Sequence, residues 1–404
     1  MSHSQTMKTL ENLFLAGQRV LIRVDFNVPL TEKGQVANDK RIVATIPTLK
    51  YIVEQGGKAI ILSHLGRPKA EPEAKYSLRQ VAEALAVRMG QPVNFCDEAV
   101  GDKATEAVKA LAAGEILLLE NVRFYPGEEQ GDPTFAAALA QHGDCYVNDA
   151  FGTAHRAHAS TTVVANHFKG KAAFGYVMAA EIENVNRVLV SGERPALAIV
   201  GGSKVSSKIN ILQRLMDRVD HIIIGGGMSF TFIKARGGEV GESICEMDHL
   251  VTARAIEKRA MEKNVQLHFP IDVVAADAFA PEANTQICAI EAIPAGWQGL
   301  DAGPETIKAF SRVVRQAKTL LWNGPLGVFE MEAFAHGTKA VGEEIAKATK
   351  EGQFSLVGGG DSVSAVEQFG LSDRMSYIST GGGAMLEYLE GKTLPGIQAI
   401  LDSE

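Results

Sequence analysis

Short apolar runs recur along this chain, several of them continuous rather than alternating with polar residues, and they limit its fold more than any other feature. In the first half they are 19–24 (RVLIRV), 58–62 (KAIIL), 115–119 (EILLL) and 145–147. In the second half they are 196–200 (ALAIV), 221–224 (HIII), 319–322 (TLLW), 354–357 (FSLV) and 375–378 (MSYI). A strand with one wet face alternates in polarity. A run that is apolar throughout is buried on both faces, as in a parallel sheet covered by helices. Helical patterns lie between the runs, for example 252–264 and 333–350. Repeated strand–helix–strand units predict an α/β fold with parallel sheets.

A length of 404 residues allows two or three domains at about 150 residues each. Met178, Ile182, Val185 and Leu189 recur at helical spacing, so 178–190 is predicted as one amphipathic helix. Gly192 and Pro195 then stop it. The expected organisation is two Rossmann-like, doubly wound parallel-sheet domains, 1–177 and 196–390, joined by an inter-domain helix and hinge at 178–195.

Composition excludes several classes of function. The net charge is −8, which disfavours a general nucleic-acid binder and requires any anion to be held by local basic clusters. No apolar run approaches the roughly 20 residues of a membrane span. Cys96, Cys145, Cys245 and Cys288 are far apart, with no paired spacing for zinc or redox chemistry. Reduced thiols and no visible export signal predict a cytoplasmic protein. No exposed apolar seam is evident.

The chemistry concentrates at strand ends, where ligands of open α/β sheets sit. In the first half these ends carry Arg23, His64, Arg67, Arg123, His155, Arg156 and His158. Arginine forks match phosphate and carboxylate oxygens, so the cluster predicts a pocket for a small, multiply charged anion. A single strand-end arginine would more simply pair with a surface carboxylate. His155 and His158 are three apart, but Arg156 between them repels a cation, and metal binding there is not expected.

In the second half the strand ends carry glycine turns: 201–202, 225–227, Gly324 after Asn323, 358–360 and 381–383. Glycine allows close backbone approach to phosphate, and a following helix offers free N–H groups. Five such turns predict a nucleotide site. The P-loop and dinucleotide fingerprints are both missing. Lys204 and Lys208, if helical, would share a face and neutralise two phosphates in line. Asp361 is suited to Mg²⁺, which takes one or two carboxylates plus nucleotide phosphates.

RVDFNVP, SHLGRP, NVRF, NDAFGTAHRAHAS, GGSKVSSKI, GGGM, WNGPLGVFE, GGGDS and STGGGAMLEYLEGK closely resemble the motifs of phosphoglycerate kinases, in that family's order from about Leu13 onward. The resemblance implies a two-lobed monomer that transfers a phosphoryl group between 1,3-bisphosphoglycerate and ADP, with Mg²⁺. It implies phosphoglycerate contacts at Asp25, Asn27, Arg41, His64, Leu65, Gly66, Arg67, Arg123 and Arg156, with Arg23 nearby. It implies nucleotide contacts at Gly201, Lys204, Lys208, Gly226, Asn323, Pro325, Glu330, Gly359, Gly360, Asp361 and Ser362. Arg41 and Lys204 would stabilise the moving phosphoryl group, and Asp361 would hold the metal. Residues 391–404 would return to the first domain. Ser207 departs from the family, where Asp is common between the two lysines. Another acyl-phosphate kinase, or a two-lobed anion-binding protein without chemistry, remains open at this point.

Overall fold

The structure, a computed structural model, describes residues 7–69 and 71–403. Residues up to Ile182, together with 393–403, form one compact unit, and Glu183–Lys392 form a second. The change of unit falls inside a single helix, Tyr176–Leu189, rather than at either of its ends. Among the described residues no helix is long and apolar enough to cross a membrane.

The first unit is built on β1 (Arg19–Val24), β2 (Lys58–Leu62), β3 (Val93–Cys96), β4 (Ile116–Leu119), β5 (Cys145–Asp149) and β6 (Ala172–Phe174). They form one parallel sheet in the order β3-β4-β2-β1-β5-β6. The chain winds outward from β1 on one side, then crosses to β5 on the other. The sheet therefore has its switch point beside β1, where a crevice opens beyond the carboxyl ends. β1 and β4 are buried on both faces, as their unbroken apolar runs require. Val20, Ile22 and Val24 pack with Ile42, Leu49 and Ile52 of the helix Lys40–Glu54. Each such fully buried side chain contributes about 1.5–3 kcal/mol relative to exposure.

The second unit contributes β7 (Ala196–Val200), β8 (His221–Ile224), β9 (Glu239–Val240), β10 (Gln266–His268), β11 (Asp272–Ala276), β12 (Thr285–Ala289), β13 (Ala292–Ile293), β14 (Gln298–Ala302), β15 (Thr319–Asn323), β16 (Phe354–Val357) and β17 (Tyr377–Ile378). Its main sheet is parallel, in the order β10-β8-β7-β15-β16-β17, with the switch point between β7 and β15. Leu197, Ile199, Leu320 and Trp322 pack there with Phe310, Val314, Val341 and Ile345 from two helices.

The α/β class with two parallel sheets is therefore as the apolar runs predict, and several details differ. β3, β6 and β10 were not expected, because β3 and β10 mix polarities and the three residues of β6 are too short a run to stand out. β11, β12 and β14 form an antiparallel sheet, not a parallel one. β12 is an exposed strand, TQICA, with no run to betray it. The run 375–378 shortens to β17, because Ser372–Arg374 forms a 3-10 turn just before it. The helix expected at 252–264 is Leu250–Glu262. It ends where Asn264 takes a left-handed conformation, φ 56°.

Candidate active site

In the first unit, the end of β1 is anchored before it is functional. Phe26 is fully buried, and its N–H donates to Ser63 Oγ at 2.9 Å, tying β1 to the end of β2. That burial leaves Asp25 and Asn27 on the other side of the turn, half-exposed. Arg41, near the start of the helix Lys40–Glu54, donates to Asp25 Oδ2 at 2.9 Å and to Asn27 O at 3.2 Å. Asn27 Oδ1 accepts from the Gly66 N–H at 2.8 Å, and Arg123 Nη1 donates to Gly66 O at 2.7 Å. Gly66 has φ 63°, and a Cβ there would come within 2.3 Å of the Tyr76 ring. One hydrogen-bonded set thus joins residues from the ends of β1, β2 and β4.

His64 is the electrostatic centre of this set. It is 3 % exposed, and burial together with Arg23, Arg123, Arg41 and His158 holds its pKa well below the usual imidazole range. His158 is pushed down to about 4 by burial and by Arg123, Arg23, Arg156 and His155. The strand-end cations therefore act on common groups, as expected of one basic pocket. Arg67 and Arg156 are exposed and available to an anion. Two expected contacts sit differently. Arg23 is wholly buried behind His64, and the Leu65 side chain belongs to the core, with its carbonyl accepting from Asn121 Nδ2 at 2.8 Å. Asn121 was missed: its amide also donates to Tyr76 O at 2.9 Å, and its Oδ1 accepts from the Arg123 N–H at 3.0 Å.

A neutral buried imidazole has a pH consequence. The unfolded chain takes up a proton near pH 6.5, whereas folded His158 does so only near 4. Its contribution to stability is therefore present above about pH 6.5 and is lost as pH falls towards 4. Urea midpoints measured across that window should fall less steeply for His158→Gln than for the parent chain. An equal slope would remove His158 from the balance.

In the second unit the glycine turns meet at the switch point. The Gly201 N–H donates to Asn323 O at 2.9 Å. A Cβ on Gly201 would lie 2.1 Å from Pro325 O, and Gly324, at φ 105°, stands in the same contact. Part of the glycine enrichment thus serves the packing of turn on turn, not only approach to a ligand. Asn323 Nδ2 donates to Gly358 O at 2.8 Å, and Ser362 Oγ accepts from the Gly324 N–H at 2.5 Å, so both face inward.

Beside these turns lies a cleft of about 470 Å³. Gly226, Pro325, Glu330 and Asp361 line it, and its apolar wall includes Ile244, Phe279, Leu300 and Val328. Ile244 and Phe279 are large apolar side chains left exposed, and their common cleft accounts for both. An apolar slot with glycine backbone and a carboxylate at its rim suits a purine nucleotide. This wall was missed because its residues come from β14 and from separate loops after β9, β11 and β15, and no single run or motif gathers them. The sole sign is a lone large apolar residue in polar surroundings, such as Phe279 in DAFAPE.

The lysine pair needs correcting. Residues 203–208 form turns, and the helix begins only at Ile209, so Lys204 and Lys208 do not share a helical face. Lys208 Nζ donates to Asn323 Oδ1 at 2.7 Å; burial lowers its pKa, while Asp361 and Glu390 support its charge. Lys204 is exposed. Asp361 stands exposed in the first turn of the helix Gly360–Gln368, preceded by Gly359 at φ 95°. Among the described residues no cluster of three metal-ligating side chains exists. One rim carboxylate fits Mg²⁺, which draws its remaining ligands from phosphate and water.

A family model described as phosphoglycerate kinase matches residues 10–392. The phosphoglycerate kinase of Trichodesmium erythraeum (strain IMS101) is 50 % identical over 398 residues, 98 % of this chain and 99 % of the relative. The chloroplastic phosphoglycerate kinase of Volvox carteri is 52 % identical over 387 residues, 96 % of this chain and 84 % of the relative. The solved phosphoglycerate kinase of Coxiella burnetii superposes with a TM-score of 0.91 at 42 % identity, over 98 % of this chain and 99 % of that one.

Proposed function

The chain belongs to the phosphoglycerate kinase family, and from that premise we propose which of its residues carry the reaction. The enzyme transfers a phosphoryl group between 1,3-bisphosphoglycerate and ADP, giving 3-phosphoglycerate and ATP in glycolysis. Phosphoglycerate is bound by Asp25, Asn27, Arg41, His64, Arg67, Arg123 and Arg156. The nucleotide occupies the cleft of Gly226, Pro325 and Glu330, with Lys204 and Lys208 towards its phosphates. The observation that carries the first assignment is the bonded set Asp25–Arg41–Asn27–Gly66–Arg123, under a buried imidazole ringed by cations.

In the ATP-consuming direction the nucleophile is the substrate carboxylate, already ionised at pH 7. No general base is required, and none is assigned. What remains is to hold two polyanions together and to stabilise the charge of the transferring group. Arg41 enters from the acceptor side, already oriented by Asp25. Lys204 enters from the nucleotide side. Asp361 would hold Mg²⁺, which supplies charge neutralisation at the nucleotide phosphates when bound. Since acceptor and nucleotide are assigned to different units, transfer requires the units to bring them together, and closure also excludes water. We further propose a cytoplasmic monomer.

Two substitutions separate the two assignments. Arg123→Gln should raise KM for 3-phosphoglycerate at least about tenfold, through loss of a charge-assisted contact, with KM for MgATP unchanged. Asp361→Asn should weaken MgADP binding by calorimetry while leaving metal-free ADP binding nearly intact. A rise in KM for MgATP with Arg123→Gln, or equal loss of both nucleotide forms with Asp361→Asn, would overturn the respective assignment.

A further inference from the structure

A chain of buried groups runs beneath the basic pocket and is not used by the mechanism above. Glu128 is fully buried in a short helix, Gly127–Gln130. Its Oε1 accepts from Ser160 Oγ at 2.6 Å, and its Oε2 accepts from the Ser160 N–H at 2.9 Å. Ser160 Oγ in turn accepts from Arg23 Nε at 2.7 Å. Arg23, fully buried, reaches His64 Nδ1 with Nη2 at 3.2 Å, and its Nη1 donates to Val24 O.

The donor and acceptor roles in this chain are forced. A guanidinium has only N–H donors, so His64 Nδ1 must accept. A ring that accepts at Nδ1 carries its single proton on Nε2. The hydroxyl of Ser160 has one hydrogen. It is directed to the Glu128 carboxylate, which can only accept, leaving the oxygen lone pairs for Arg23. The buried negative charge of Glu128 thus partners the buried positive charge of Arg23 through one hydroxyl, and neither is left uncompensated.

We propose that Glu128, acting through Ser160, is the positioning residue that fixes Arg23 and thereby locks His64 in the Nε2–H tautomer, as a neutral hydrogen-bond donor to the bound acid. The proposal rests on the assignment of His64 to the phosphoglycerate site. The other groups around the ring agree with it. Arg123, Arg41 and His158 oppose a second proton, while Asp25 Oδ1, at 4.0 Å from Nδ1, is too distant to draw the proton to that nitrogen. A neutral donor has a clear use here. It orders an anionic oxygen by a directed bond, and it does not change charge as pH varies around neutrality.

Nitrogen-15 NMR of the full chain labelled at histidine tests this without requiring turnover. In the parent protein His64 should show the neutral Nε2–H pattern, unchanged from pH 6 to 8. Ser160→Ala removes the link and little volume; it should give a mixed or Nδ1–H pattern. It should also raise KM for 3-phosphoglycerate about tenfold, with kcat less affected and KM for MgATP unchanged. Glu128→Gln should act in the same direction, and thermal melts identify a variant that has lost its fold. An Nδ1–H or doubly protonated His64 in the parent protein overturns the proposal. So does an unaltered tautomer in a folded Ser160→Ala. A parent protein with the Nε2–H pattern but no turnover of 3-phosphoglycerate would instead overturn the substrate assignment and leave the network standing.

Discussion

Lys204→Ala should lower kcat by roughly two to three orders of magnitude while ADP affinity changes little. That is the scale expected when a preorganised charge aimed at the transition state is removed. The expectation follows from the contrast between the two lysines. Lys208 is committed: its ammonium is held by Asn323 Oδ1 at 2.7 Å and is partly desolvated. Losing it disturbs the floor of the nucleotide site and should appear mainly in KM. Lys204 is exposed, on a turn whose neighbour Ser206 is held by Glu246 through Oγ at 2.6 Å and through N–H at 3.0 Å. The turn is thereby fixed while the lysine head stays available to the transferring group. Single-turnover kinetics with calorimetric ADP binding would separate the two effects. Near-normal turnover by Lys204→Ala would remove it from the transition state.

Gly201→Ala should destabilise the second unit by about 2–4 kcal/mol and abolish tight nucleotide binding. The added methyl has no soft neighbour to displace. It would stand 2.1 Å from Pro325 O and 2.7 Å from Gly324 O, which are backbone atoms of the turn after β15. Separating the turns breaks the Gly201 N–H bond to Asn323 O and so loosens Asn323, the partner of Lys208. Chemical denaturation combined with ADP titration would show both losses together. A variant of normal stability would mean that the switch point can relax, and that the glycine has another purpose.

The parallel sheets were legible because burial on both faces leaves an unbroken apolar run, and β1, β4, β7 and β15 have that run. The basic side chains at strand ends were legible for a related reason: His64 and Arg123 lie within four residues of the ends of such runs. Shape created at a distance was not legible. Arg23 lies on β1 like any pocket residue, yet strand alternation sends it inward to Ser160. Lys204 and Lys208 have helical spacing, but the residues between them turn. The apolar wall of the nucleotide cleft is gathered from β14 and from the loops after β9, β11 and β15, so Ile244, Phe279, Leu300 and Val328 become neighbours only in the fold. Motif order identified the family regardless of these local departures, since it depends on residue identity and not on packing.

One chain binds a small phosphorylated acid and a nucleotide, and moves a phosphoryl group between them. Purified protein with MgATP and 3-phosphoglycerate, coupled to glyceraldehyde-3-phosphate dehydrogenase, reports that step as loss of NADH. The expected result is loss that requires both substrates and Mg²⁺, and that all but disappears with Lys204→Ala. Tight ADP binding without any such loss would contradict it, and would reopen the identity of the acid in the basic pocket.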